Sequence, residues 1–155
     1  MTMLRRLAAT TAVLGFVVLA AAAGSCSKKS PTAPSGGGLP GTWRATMAEF
    51  SDRANPTLRI EVVSQGVSIV LVLNAGGTFT LTTIVPGIAP EVSTGTWTAT
   101  SDVLTLRPAG ISGDTQFDMT LSGDTLALRG GHVLFDVDGD DVDEEAALDM
   151  TLARQ

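Results

Sequence analysis

The sequence contains no tyrosine, one histidine and one cysteine, and aromatic residues make up only 5% of it. Each scarcity removes a class of chemistry. Without tyrosine there is no phenol for proton transfer. His132, alternating with Val133, reads as an outward-facing residue at a hairpin, and an imidazole with no nucleophile beside it builds no catalytic pair. A single cysteine allows no internal disulfide, so stability must come from packing. No glycine-rich loop leads into a helix, which leaves phosphate cradling without support. The many serines and threonines fall in strand patterns, where hydroxyls decorate a solvated face. These absences point away from an enzyme and from any bound cofactor. Basic residues are also few, 10 against 16 acids, and they form no stripe that would meet phosphates, which excludes nucleic acid as a partner. The same deficit argues against electrostatic adhesion to anionic lipid.

The one long apolar run stands at the start. Arg5 and Arg6 precede Leu7 to Ala23, 17 residues without a charge, slightly short of the roughly 20 that span a bilayer as a helix. A basic leader, an apolar stretch and the small residues Ala23, Gly24 and Ser25 form an export-signal pattern over residues 1–25. Cys26 follows directly, and the arrangement resembles the lipobox, in which small residues precede a cysteine that is diacylated before cleavage. Ala23 departs from the Leu, Val or Ile usual three positions before that cysteine. The competing reading is an uncleaved membrane anchor with an incidental cysteine. Against it, Cys26 is the chain's only cysteine and falls where the modification needs it. After Cys26, Ser27 to Gly38 consists of Ser, Lys, Pro, Thr, Ala and Gly, so residues 26–38 are expected to form a flexible tether. Two or three acyl chains anchor stably where one does not, so the membrane is an expected partner through the lipid. The expected location is the cell envelope. Ser27 carries no inner-membrane retention signal by the enterobacterial rule, which favours the outer membrane if the host has two.

Residues 39–155 remain, 117 in number, enough for one domain with its own core. From Cys26 onward, removing Arg5 and Arg6 leaves eight bases against 16 acids, a formal balance of −8. Helical periodicity is hard to find, and period-two alternation recurs. Phe79 and Leu81 alternate with threonines, as does Trp97. Leu104 and Leu106, Phe117 and Met119, and Leu126 and Leu128 behave likewise, as does Met150 between Leu148 and Leu152. Each segment thus has an apolar and a polar face, as a sheet covered on one side requires. Strands are expected near 42–49, 67–74, 78–85, 92–99, 103–107, 115–121, 124–129, 131–136 and 146–153. Residues 57–63 read equally as a strand or a short helix. Asn74 to Gly77, Ser122 to Asp124 and Gly130-Gly131 read as turns between adjacent strands. Eight to ten short antiparallel strands joined by hairpins make an all-β, up-and-down meander that most simply closes into a barrel; a β-sandwich is the alternative.

Two repeated motifs suggest a family. Gly41-Thr42-Trp43 opens the domain and Gly95-Thr96-Trp97 recurs within it. Ser101-Asp102-Val103-Leu104-Thr105-Leu106 is echoed by Gly123-Asp124-Thr125-Leu126-Ala127-Leu128. In order and spacing these resemble the lipocalin-like domain of small bacterial secreted proteins and lipoproteins, over roughly residues 39–155. The resemblance implies a barrel able to hold a small hydrophobic ligand. It also implies that Trp43 sits at the closed end beneath Arg154, a contact that stabilises by about 0.5–2 kcal/mol depending on burial. The plain alternative makes Trp43 ordinary core and Arg154 a solvated terminus.

The candidate interior comprises Leu71, Phe79, Leu81, Trp97, Leu104 and Leu106, with Phe117, Met119, Leu126, Leu128, Phe135 and Met150. An eight-stranded barrel is just wide enough to be filled by such side chains or to hold one small ligand. Two functions therefore stand: a module binding a small apolar ligand or lipid, and a filled barrel whose surface meets another envelope protein. The alternation shows no polar cluster facing inward. A third reading concerns Asp136, Asp138 and Asp140, alternate carboxylates suited to a hard cation. This is no EF-hand, because Asp141 stands where the loop's glycine belongs and Ala147 where its last ligand belongs. A solvated acidic hairpin, discouraging edge-to-edge strand pairing, accounts for it without a metal.

Overall fold

The computed structural model describes residues 38–155; the leader, Cys26 and tether residues 27–37 lie outside the described residues. Nine antiparallel strands follow one another: β1 Gly41–Asp52, β2 Arg59–Glu61, β3 Ser68–Leu73, β4 Thr78–Ile84, β5 Glu91–Ala99, β6 Val103–Pro108, β7 Thr115–Ser122, β8 Thr125–Phe135 and β9 Glu144–Arg154. From β3 onward each strand pairs with the next, and β9 returns to β1 along most of its length, from Trp43↔Arg154 to Asp52↔Ala146. Eight strands thereby close into a barrel, which removes the open edges of the sheet and excludes the sandwich. The short β2 stands outside the ring, paired with Glu49 to Ser51 on β1.

Of the two forms that the sequence left open for residues 57–63, the structure has the strand, β2, and a 3-10 turn over Val63–Gln65 follows it. The Glu61 side chain fixes this segment. Its carboxylate accepts hydrogen bonds from the backbone N–H groups of Ala48 and Val63, both at 2.9 Å, and of Ser64 at 2.7 Å. It thus covers the stretch of β1 between its pairings with β3 and with β2.

Gly130-Gly131 is not a turn. β8 runs straight through it as one strand, and its register on β9 shifts from Leu128↔Met150 to Gly131↔Leu148. Three residues on β8 span two on β9, which defines a β-bulge. Gly130 takes the left-handed conformation, φ 73°, and its N–H donates to Asp149 Oδ1 at 2.7 Å. The glycine freedom that suits a hairpin serves a bulge equally. His132 consequently lies within a strand rather than at a hairpin, facing outward 3.7 Å from the Glu145 carboxylate. A second bulge between Ala45 and Met47 on β1 keeps both Ala45 and Ala48 on the inner face.

The two ends of the barrel differ. At one end the connections are tight, Asn74 to Gly77, Thr100 to Asp102 and Gly123-Asp124. At the other they are longer: 53–58 with β2 and its turn, 85–90, 109–114 and 136–143. Both described chain ends meet at the tight end, where the Gln155 N–H donates to the Thr42 carbonyl at 2.9 Å.

Candidate functional site

At the tight end, Trp43 is fully buried and its indole Nε1–H donates to the Leu39 carbonyl at 2.9 Å. The Arg154 guanidinium carbon lies 4.1 Å from the centroid of the Trp43 ring. Arg154 also donates to the carbonyls of Pro40, at 3.1 Å, and Gly38, and approaches Asp124 at 3.4 Å. A cation over an indole with its N–H groups satisfied closes the floor without leaving a buried polar group unpaired. Trp97 ties in the neighbouring turn, its Nε1–H donating to the Asn74 carbonyl at 3.0 Å.

Above this floor all twelve candidate interior residues share the inner face of the sheet. Leu71, Leu104, Leu126 and Leu128 are fully buried; Phe79, Trp97, Leu106, Phe117, Met119 and Met150 nearly so. Leu81 and Phe135 face inward but remain partly exposed. Phe135 stacks on Phe50, centroids 3.9 Å apart and planes 13° from parallel. The interior is therefore packed from the floor through its middle and loosens toward the wide end.

That wide end is also polar on its inner face, which corrects the expectation that no polar cluster faces inward. Direct partners in an antiparallel ladder share a face, so Ser93 stands beside Leu81, and Thr83 and Glu91 stand beyond them. Across the opening, Asp52 pairs with buried Ala146, and Glu144 pairs with Phe135. Asp52 is only 9% exposed; its Oδ1 accepts the Ala54 N–H at 2.7 Å.

Residues 39–128, more than half of the chain, match the Lipocalin-like domain family. The chain belongs to that family. Among solved structures it is similar to EF1p2_mFAP2b bound to DFHBI, at 20% identity and a TM-score of 0.44, over 76% of this chain and 94% of that one. No curated protein matches it. The family match ends at Leu128, whereas the lipocalin-like barrel itself continues through β9 to Arg154.

The acidic hairpin rims the mouth of the lipocalin-like barrel. Asp136, Asp138 and Asp140 come together with Glu144, a fourth carboxylate that the alternation did not single out; one oxygen from each lies within 4.8 Å of the others. The hairpin satisfies these oxygens from its own backbone. Asp136 accepts from Gly139 and Asp141, Asp138 from Asp140, Asp140 from Val142, and Glu144 from Val137. All six large apolar residues exposed among the described residues lie at this end too: Leu58, Ile84, Val92, Ile111, Leu134 and Val142. Two carboxyls near the mouth are held below the usual range. Burial pushes Glu61 up, but hydrogen bonds from Ala48, Ser64 and Val63 together outweigh it. Asp114 is lowered by its two hydrogen bonds from Arg107, at 2.7 and 2.6 Å; this pair is exposed and contributes little to stability.

Sequence reasoning missed Phe50, Asp52 and Glu144 at the mouth, along with Thr83, Ser93 and Glu91. The bulge on β1 spaces the inward positions Trp43, Ala45, Ala48, Phe50 and Asp52 by two, three, two and two, so a strict alternation loses the strand before Phe50.

Proposed function

We propose that this chain is an envelope-anchored lipocalin-like protein, tethered through acylated Cys26, that holds one small apolar molecule at the wide end of its barrel. The observation that carries the reading is the asymmetry of the interior. The Trp43–Arg154 floor is sealed, whereas Leu81, Phe50 and Phe135 face inward at the mouth and keep part of their surface uncovered. Apolar surface left in water on an inner face gains about 25 cal/mol per Å² when a ligand covers it. The exposed apolar side chains around the mouth offer a first contact for such a molecule. No catalytic role is assigned, and His132 stands on the outer face of β8 beside Glu145.

Native mass spectrometry of the protein purified from its own host tests the reading. A co-purifying small mass, released on denaturation, together with uptake of a neutral apolar fluorophore is the expected result. A clean apo mass without uptake would leave a filled barrel that acts through its surface on another envelope protein.

A further inference from the structure

Asp52 is the one charged residue among the described residues that counts as buried. Its oxygen toward Ala54 closes a local turn, but such a turn needs only an acceptor, and asparagine would supply one without burying a charge. No described cation forms an ion pair with Asp52. Oδ1 is taken by Ala54, and no buried side-chain oxygen among the described residues lacks a partner, so Oδ2 keeps its contact with water at the mouth and is open to a cation, which would supply the counter-charge that Asp52 lacks. Its surroundings repeat the sign. Glu144 and Glu91 occupy inner-face positions at the same end, and no arginine or lysine of the mouth strands shares that face. Outside the ring, residues 136–145 carry seven acids and no base. Beneath lies the Phe50–Phe135 stack, an apolar and π-rich surface.

We infer that the molecule taken at the mouth is an apolar amine: a hydrocarbon body against Phe50, Phe135 and Leu81, with an ammonium head beside the Asp52 carboxylate. The inference rests on the binding reading above and adds the charge of the ligand to it. A carboxylate-headed molecule such as a fatty acid meets the wrong sign at every inner-face charge of the mouth, and a rim of one sign raises the local concentration of the opposite ion.

Three probes of equal chain length separate the two levels: octylamine, octanol and octanoate. They are titrated calorimetrically against the full mature protein in zwitterionic nanodiscs, with empty discs as the blank. The expected order is octylamine at least tenfold tighter than octanoate, with octanol between. Asp52→Asn keeps the acceptor for Ala54, and it should bring octylamine to the level of octanol while octanol is unchanged. Glu144→Gln, away from the buried turn, should narrow the amine-to-octanoate ratio severalfold; it decides the matter if Asp52→Asn loses octanol binding and hence its fold. Equal binding of all three probes, or an amine preference that survives both substitutions, overturns the inference and leaves apolar binding standing. Failure of all three to bind overturns both.

Discussion

The Phe117 ring occupies the space in front of Gly131 where a side chain would stand, so that a methyl group there would overlap the ring edge. Phe79 also lies over Gly95 on the other side of the barrel, where a methyl group would meet the Arg107 backbone carbonyl before the ring. Glycines in curved strands, each covered by an aromatic ring, let a sheet bend tightly enough to close while keeping its inner face filled. Gly131→Ala should destabilise by about 1–3 kcal/mol through overpacking, read from denaturant melts. In a Phe117→Leu background the same change should cost less, since neighbouring sites couple. Gly130→Ala, with open space but φ 73°, should cost about 1–2 kcal/mol for its left-handed backbone alone, in either background.

Trp97→Ala should cost about 3–5 kcal/mol, because the indole is 3% exposed and its N–H bonds the Asn74 carbonyl. That approaches the whole stability of a domain of this size, about 5–15 kcal/mol. Thr96→Ala, one residue away on the exposed outer face, should change stability far less. Equal midpoints for the two variants would mean that the assignment of inner and outer faces on β5 is wrong.

Glu61 makes stability depend on pH in a defined direction. Its carboxyl is lowered from 4.5 in the folded chain by the hydrogen bonds from Ala48, Ser64 and Val63. A lowered folded value means that its contribution is complete above about 4.5 and is lost as pH falls through that lower value. Glu61→Gln should cost about 1–2 kcal/mol at pH 7, a charged hydrogen bond discounted for partial exposure. The gap between wild type and variant should narrow in melts at pH 3. A gap that stays constant from pH 7 to pH 3 would show that the carboxylate charge is not what fixes the segment.

For the acidic hairpin the expected result is that calcium does no more than monovalent salt of equal ionic strength. Each of Asp136, Asp138, Asp140 and Glu144 already accepts a backbone N–H of the hairpin, and their mutual repulsion is relieved by any salt. Thermal melts in millimolar calcium and in matched sodium chloride measure this directly. A calcium-specific rise in melting temperature, removed by replacing Asp138 and Asp140 with asparagine, would instead establish a cation site.

The anchor has its own test. Cys26→Ala should leave an unprocessed or mislocalised precursor, and the intact mass of the mature wild type should carry an acylated N-terminal cysteine. A mature chain that begins elsewhere, with a free thiol, would remove the anchor from the proposed function.

The strands that could be read from sequence are those where one alternation runs unbroken, β3 to β7. There threonines on one face and Leu, Phe, Trp or Met on the other leave one way to pack. The motifs around Trp43 and Trp97 then led to the family. What could not be read follows from bulges. Gly130-Gly131 has the chemistry of a turn, and nothing local says that the chain continues straight. Ala45 and Ala48 break the period, so Phe50 and Asp52 fell outside the expected strand. Thr83 and Ser93 look like outer-face residues by composition, and only their register beside Leu81 shows that they line the mouth. The candidate site was therefore legible in its apolar floor and hidden at its polar rim.

The pairing of Trp43 with Arg154 joins residues more than a hundred positions apart, and this has a consequence in time. Neighbouring strands from β3 to β9 form hairpins from local contacts, which are quick to find, whereas the β1–β9 seam must wait for all the strands between them. Until β9 is delivered, β1 lacks its partner on one side and the Trp43 indole lacks the Arg154 guanidinium over its face. That interval leaves an unpaired edge available to a neighbouring chain. Docking of β9 on β1 is thus the step that closes that edge.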